Sequence, residues 1–171
     1  MGDPQSHVSL QNWWVLLASG FICFFAGGLY GWSALIAPLQ NAFDVTMGQT
    51  GLVFSLAIAS FTIAVIAVPL RIPRAARQRS VSWFGLAGAT CLIAATRVRE
   101  FEYFLLWFSG GFGAASGAIY ITTLGLAADT PFHKIATPAM VAAFGAGGAV
   151  FGPAWRVLVA HGWGLESLLK A

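Results

Sequence analysis

The sequence predicts an all-α, multi-pass membrane bundle of about five spanning helices. Three observations carry that prediction. The 171 residues are 58% hydrophobic and only 9% charged, where soluble domains carry roughly 25% charged residues, so an ordinary soluble domain is excluded. The mean hydropathy of +0.76 requires most of the chain to lie in lipid. The apolar residues fall into long runs separated by short polar loops, each run near the length of about 20 residues that a crossing needs. The net charge of +3 does not point to nucleic acid, because the basic residues cluster between apolar runs, where membrane topology accounts for them. Cys23 and Cys91 both sit inside apolar segments and read as small buried hydrophobes. There is no metal or redox spacing, no Ser/His/Asp grouping and no nucleotide loop, so no enzyme, metal or cofactor is expected.

Residues 1–12 contain no Lys or Arg, and no cleavage site follows a short apolar core, so they are read as a cytoplasmic N-terminus and not as a signal peptide. The first helix is predicted over 13–37, opened by the interfacial aromatics Trp13 and Trp14 and closed by Pro38. Its stretch FICFFAGGLYGWSALIAP is uncharged, and the other helices are expected to pack around it. Gly27 and Gly31, four apart, form a small-residue strip for a neighbouring helix. Tyr30 and Ser33 fall close together on a helix, with Trp32 on nearly the opposite side. Tyr30 is the preferred cavity residue, since a phenol in lipid needs a partner.

A loop follows, then a second helix over 49–70. Its polar residues Ser55, Ser60 and Thr62 can bond their own backbone or serve a pathway. The stretch LRIPRAARQRS holds Arg71, Arg74, Arg77 and Arg79, and such short basic loops stay in the cytoplasm. The third helix, 81–96, is short for a crossing. The fourth, 103–128, carries Ser109, Gly113, Ser116, Tyr120 and Thr123 at helical spacing, a stripe that must face protein or a water-filled cavity. The loop with Asp129, His133 and Lys134 should be cytoplasmic, with His133 solvated. The fifth helix, 139–160, places Gly145, Gly148 and Gly152 on one side, with a kink at Pro153 and Arg156 near its external end. That arginine either snorkels to the interface or contacts an anion at a cavity mouth. Residues 161–171 are too short to cross and read as an external tail or the start of a sixth helix.

An internal repeat lays FFAGGLYGWSALI on FSGGFGAASGAIY, pairing Phe25 with Phe108, Gly27 with Gly110, Gly28 with Gly111 and Ser33 with Ser116. Transporters often duplicate such three-helix units.

These features resemble the N-terminal half of a major facilitator superfamily transporter. The basic loop after the second helix is similar to the superfamily's Gly-x3-Asp-Arg-x-Gly-x-Arg-Arg signature, with the basic part kept and the glycine and aspartate missing. Gly148-Ala-Val-Phe-Gly152-Pro153 is similar to its GxxxGP element, and His161-Gly162-Trp163 to the Gly-Trp before its sixth helix. LYGWSALIAPLQNAF and SGAIY resemble the first and fourth helices of the oxalate/formate antiporter and monocarboxylate transporter families. Pro138 stands where these families usually have glycine after a Lys/Arg-rich loop. The resemblance implies transport of small organic anions by alternating access in the cell membrane. It implies a substrate site drawing on Tyr30, Trp32, Ser33, Ser116, Tyr120 and Arg156. It also implies a completing C-terminal half or second copy, because no predicted helix carries a buried Asp, Glu or Lys. The alternative is a non-transporting helical bundle that scaffolds a partner through its glycine faces.

Overall fold

The computed structural model describes residues 4–160, and among them every regular element is helical. α1 runs Pro4–Ala26 and tightens into a 3-10 stretch over Gly27–Ala34. α2 is Ile36–Phe43, α3 Met47–Arg71, α4 Arg77–Ala95, α5 Phe101–Phe104, α6 Gly113–Ala128 and α7 His133–Ala160. A wider π-helical stretch, Leu105–Phe112, joins α5 to α6 without a break. Four helical segments are long and apolar enough to cross a membrane: Trp13–Ala34, Met47–Arg71, Phe101–Ala128 and His133–Val157. The bundle is therefore all-α, as the sequence predicts, with four such segments where about five spans are expected. α4, which corresponds to the third predicted helix, is the one not among the four; it opens on Arg77-Gln78-Arg79-Ser80, which shortens its apolar part.

Several boundaries move. Pro38 does not close the first helix. Leu35 is a single turn residue between the 3-10 stretch and α2, and Pro38 sits in the first turn of α2, where its missing N–H has no bond to lose. The expected loop after it is largely helix, anchored by Leu39, which is fully buried. α2 ends on Asp44 in the left-handed conformation. α3 then starts on a reciprocal cap: the Gln49 N–H donates to Thr46 Oγ1, and the Thr46 N–H donates to Gln49 Oε1 at 2.8 Å. α7 begins six residues earlier than predicted, runs through both Pro138 and Pro153, and has the exposed His133 as its first residue. Residues 161–171, with the Gly-Trp pair, lie outside the described residues.

α6, not the first helix, is the centre of the bundle. In the most apolar stretch of the span that contains it, 56% of residues are buried, against 39% for the first span and 11% for α3. It touches α1, α3, α4 and α7. Two seams are close enough to require glycine. A Cβ on Gly113 or Gly117 would overlap the carbonyl oxygens of Ala57 or Phe61 on α3. A Cβ on Gly27 would overlap the Phe144 carbonyl oxygen of α7, and one on Gly147 the Phe24 carbonyl oxygen of α1. Both pairs run parallel, because Val53 meets Ser109 as Phe61 meets Gly117, and Trp13 meets Phe132 as Gly31 meets Gly152. α4 runs antiparallel to α6, with Arg77 beside Asp129 at one end and Cys91 against Gly111 near the other. α1, α4 and α7 thus point one way, and α3 and α6 the other.

The seams repeat, but three residues out of the register read from the sequence. Gly27 and Gly31 pack on α7 as Gly113 and Gly117 pack on α3, whereas a Cβ on Gly110, the sequence partner of Gly27, would meet nothing within 4 Å. The glycines of α7 divide likewise: Gly147 and Gly148 make the contact, and Gly145 faces open space.

At the end where α4 begins, the Arg77 guanidinium donates to Asp129 Oδ2 and, at 3.2 Å, to the Gly125 carbonyl, with Arg74 3.7 Å from the same carboxylate. Both pairs are partly solvated, so the expected effect of Asp129→Asn is a loss of about 1 kcal/mol. Thermal unfolding in detergent should show that loss at low salt and a smaller one at high salt. Equal melting at both salt concentrations, matching the parent chain, would mean the pair contributes nothing.

Candidate functional site

The 3-10 stretch places Tyr30 beside α7, where its ring meets Phe144 edge-on at 5.7 Å. Tyr120, from α6, meets the same ring at 4.8 Å. Phe61, from α3, completes the group at 5.7 Å from Phe144 and 5.8 Å from Tyr120. These four rings, with Gly145, Gly148 and Ala149 of α7, border an open cavity of about 440 Å³. Both tyrosines therefore line one space. Tyr30 is 50% exposed. The lining includes no charged side chain. Chemically it offers aromatic faces and two phenols that donate or accept hydrogen bonds.

The other sequence-derived candidates lie elsewhere. Ser33 is exposed and one 3-10 turn beyond Tyr30, but it does not line the cavity. Trp32 is 6% exposed and packs on Phe108 at 5.7 Å, within the core that holds Leu29 and Leu35. Its helical phase carries it away from Tyr30. Ser116 is fully buried, and its Oγ has no hydrogen-bond partner among the described residues. Arg156 is exposed near the end of α7 and outside the cavity lining.

The polar stripe on α6 faces protein along most of its length. Ser109 Oγ donates to the Val53 carbonyl at 2.8 Å, and Thr123 Oγ1 donates to the Ile119 carbonyl at 2.9 Å. Only Tyr120 of that stripe reaches the cavity. On α3, Thr62 donates to the Ile58 carbonyl and Ser55 to the Gly51 carbonyl, so both hydroxyls serve their own helix. Cys23 and Cys91 are free thiols. Among the described residues no three His, Cys, Asp or Glu side chains come together as metal ligands would.

Sequence reasoning missed Phe144, the ring that Tyr30, Phe61 and Tyr120 all touch. In a chain with 14 phenylalanines nothing marks this one, except that it stands just before the glycines that seat α7 on α1. No family model, no curated protein and no solved structure matches this chain.

Proposed function

We propose that this chain is one half of a solute transporter of the major facilitator type, carrying small organic anions such as mono- or dicarboxylates by alternating access. In this reading it lies in the cell membrane with its N-terminus in the cytoplasm, and a second half or a second copy closes the site. The observation that supports it most is the shared cavity. Two tyrosines from different helices converge on Phe144 around an open space. The repeated parallel seams, Gly27/Gly31 on α7 and Gly113/Gly117 on α3, support a bundle built from related units. The anion follows from the resemblance of LYGWSALIAPLQNAF and SGAIY. Its charge must be met by cations from the completing half, since this cavity has none.

A scaffold that pairs with another membrane protein is the second reading. It is favoured by one feature, the exposed side of α7 along Val141, Gly145 and Ala149, which a partner helix could cover. Thiol labelling separates the two. Gly145→Cys, in a chain whose own cysteines are replaced by alanine, should react quickly with a water-soluble thiol reagent in opened membranes. A pathway is wet, and lipid or a partner helix is not. In the same background Gln78→Cys, exposed beside the arginine loop, should resist an impermeant reagent in intact cells and react once they are opened. A silent Gly145→Cys would favour the scaffold, and labelling of Gln78→Cys from outside would invert the topology.

A further inference from the structure

Between α1 and α4 runs a furrow made of three adjoining spaces. At the end where α4 begins, a hollow is bordered by Pro73, Gln78 and Arg79. Gln78 also borders the next space, of about 240 Å³, together with Trp14 of α1 and Ser82 of α4. Ser82 and Ile22 are shared in turn with an apolar groove of about 500 Å³, whose α4 wall continues through Gly85 and Ala89 to Leu92. We propose that this furrow binds one anionic diacyl phospholipid, with the phosphate at Arg79 and Gln78 and one acyl chain in the apolar groove. The site is separate from the cavity at Phe144 and does not depend on the transport reading.

The order of chemistry along the furrow is that of a phospholipid. Gln78, Ser82, Gly85, Ala89 and Leu92 recur at spacings of four and three, so they form one stripe of α4. That stripe faces α1, where a Cβ on Gly85 would lie 3.3 Å from the Ile22 side chain. Polarity falls along it from guanidinium and amide, through one hydroxyl, to hydrocarbon. Trp14 is 72% exposed at the level of Gln78, a position suited to an aromatic at the membrane–water interface. From Ser82 to Leu92 the stripe is about 15 Å long. Half of a hydrocarbon core about 30 Å thick is the same, so the groove matches the chains of one leaflet.

Charge selects the headgroup. At this end of the bundle Arg71, Arg74, Arg77, Arg79 and Lys134 stand against one carboxylate among the described residues, Asp129. Arg77 and Arg74 are engaged with that carboxylate, whereas Arg79 is exposed and has no ion pair among the described residues. At the opposite end Arg97, Arg99 and Arg156 are balanced by Asp44, Glu100 and Glu102. The excess positive charge therefore sits at the polar mouth of the furrow. A guanidinium meets a phosphate through two parallel N–H···O bonds, and the Gln78 amide can donate a third. In the proposed orientation this mouth opens on the cytoplasmic leaflet, which carries the anionic lipids. A second copy in the same orientation would fill the groove only by setting its own excess cations against Arg79.

Native mass spectrometry of the full chain in detergent tests this, with dioleoyl phosphatidylglycerol and dioleoyl phosphatidylcholine titrated separately. The expected result is one phosphatidylglycerol held more tightly than phosphatidylcholine. Arg79→Gln should weaken phosphatidylglycerol binding at least about five-fold and leave phosphatidylcholine unchanged. Arg71→Gln is the charge control, since Arg71 is exposed at the end of α3 and borders none of the three spaces. Ala89→Phe should fill the groove and weaken both lipids, with Ser82→Phe in its place if that variant fails to accumulate. Ala87→Phe, exposed on α4 outside the groove, controls for bulk and should bind as the parent does. Equal losses from Arg79→Gln and Arg71→Gln would mean diffuse surface attraction and no site. Parent-like lipid binding by the groove-filling variant would leave the groove to another occupant, such as a second copy. Either outcome overturns the proposal, as does equal affinity of the parent chain for the two lipids.

Discussion

Gly147→Ala should lower the melting temperature and the yield of folded protein recovered in detergent, while Gly145→Ala, two residues earlier on the same helix, should leave both unchanged. The two substitutions add the same methyl group at the same helical propensity, so only the neighbours differ. At Gly147 the new Cβ would overlap the Phe24 carbonyl oxygen and reach 3.1 Å from the Gly27 Cα, whereas at Gly145 it meets nothing within 4 Å. An overlapping side chain could rotate away, but a backbone carbonyl held in its own helix cannot. The seam must open, and with it go the Gly27–Phe144 and Gly31–Gly152 contacts that the same approach distance allows. Overpacking of a rigid interior costs about 1–3 kcal/mol and occasionally more, and a backbone-on-backbone seam belongs at the upper end. Against a total stability of about 5–15 kcal/mol, that is a large fraction at the low end and leaves a margin of only about 2 kcal/mol there, enough to lower the melting temperature clearly. Gly148→Leu should behave like Gly147→Ala, since a Cβ there is already 2.7 Å from the Tyr30 Cβ. Gly152→Leu should be damaging through its bulk alone, because a Cβ at that position is 3.9 Å from the Gly31 Cα. Size-exclusion profiles and thermal unfolding of the purified variants measure this. If Gly147→Ala melts with Gly145→Ala, the two helices are not in contact.

The sequence makes the presence and rough extent of the long apolar helices legible because lipid leaves so few alternatives: a long uncharged run must be helical to satisfy its own backbone. Their ends are less legible. Pro38 reads as a stop, yet proline is harmless in a first turn, so the rule that breaks helices also begins them. The cap on α3 is present as Thr46-x-x-Gln49 and could have placed that helix start. The small-residue strip of Gly27 and Gly31 is legible from spacing. Its partner is not, because α7 offers glycines at 145, 147, 148 and 152 and spacing alone selects no pair among them. The site divides the same way. Tyr30 and Tyr120 stand out as polar groups at similar depth in apolar helices, and both border the cavity beside Phe144. Phe61 and Phe144 stand out by nothing, since an aromatic ring in a chain this apolar is the usual filling. Hydropathy misplaces the centre of the bundle for a related reason: α6 owes its position to glycines that let α3 reach it, and burial is a property of those approaches.

Carboxylate flux should be absent from liposomes that hold the isolated chain, and should appear when the chain is joined to a half that supplies cationic residues facing Tyr30 and Tyr120. A carboxylate moved to mid-membrane loses its hydration, and an unpaired charge there is costly. The cavity bordered by Tyr30, Phe61, Tyr120 and Phe144 contains phenols and no cation. Neutral hydrogen bonds contribute a net of only about 0.5–1.5 kcal/mol each, too little from two phenols to hold oxalate, formate or lactate against water. Arg156, exposed near the end of α7, does not line that space. In the joined form the phenols no longer carry the charge but still orient the substrate. Tyr120→Phe then removes one hydrogen bond and should weaken substrate binding by about three- to ten-fold, with expression and melting temperature unchanged. Uptake of labelled oxalate, formate and lactate, with and without the joined half, measures each part. Flux through the isolated chain above that of empty liposomes would remove the need for a second half and point to a small transporter formed by copies of this chain.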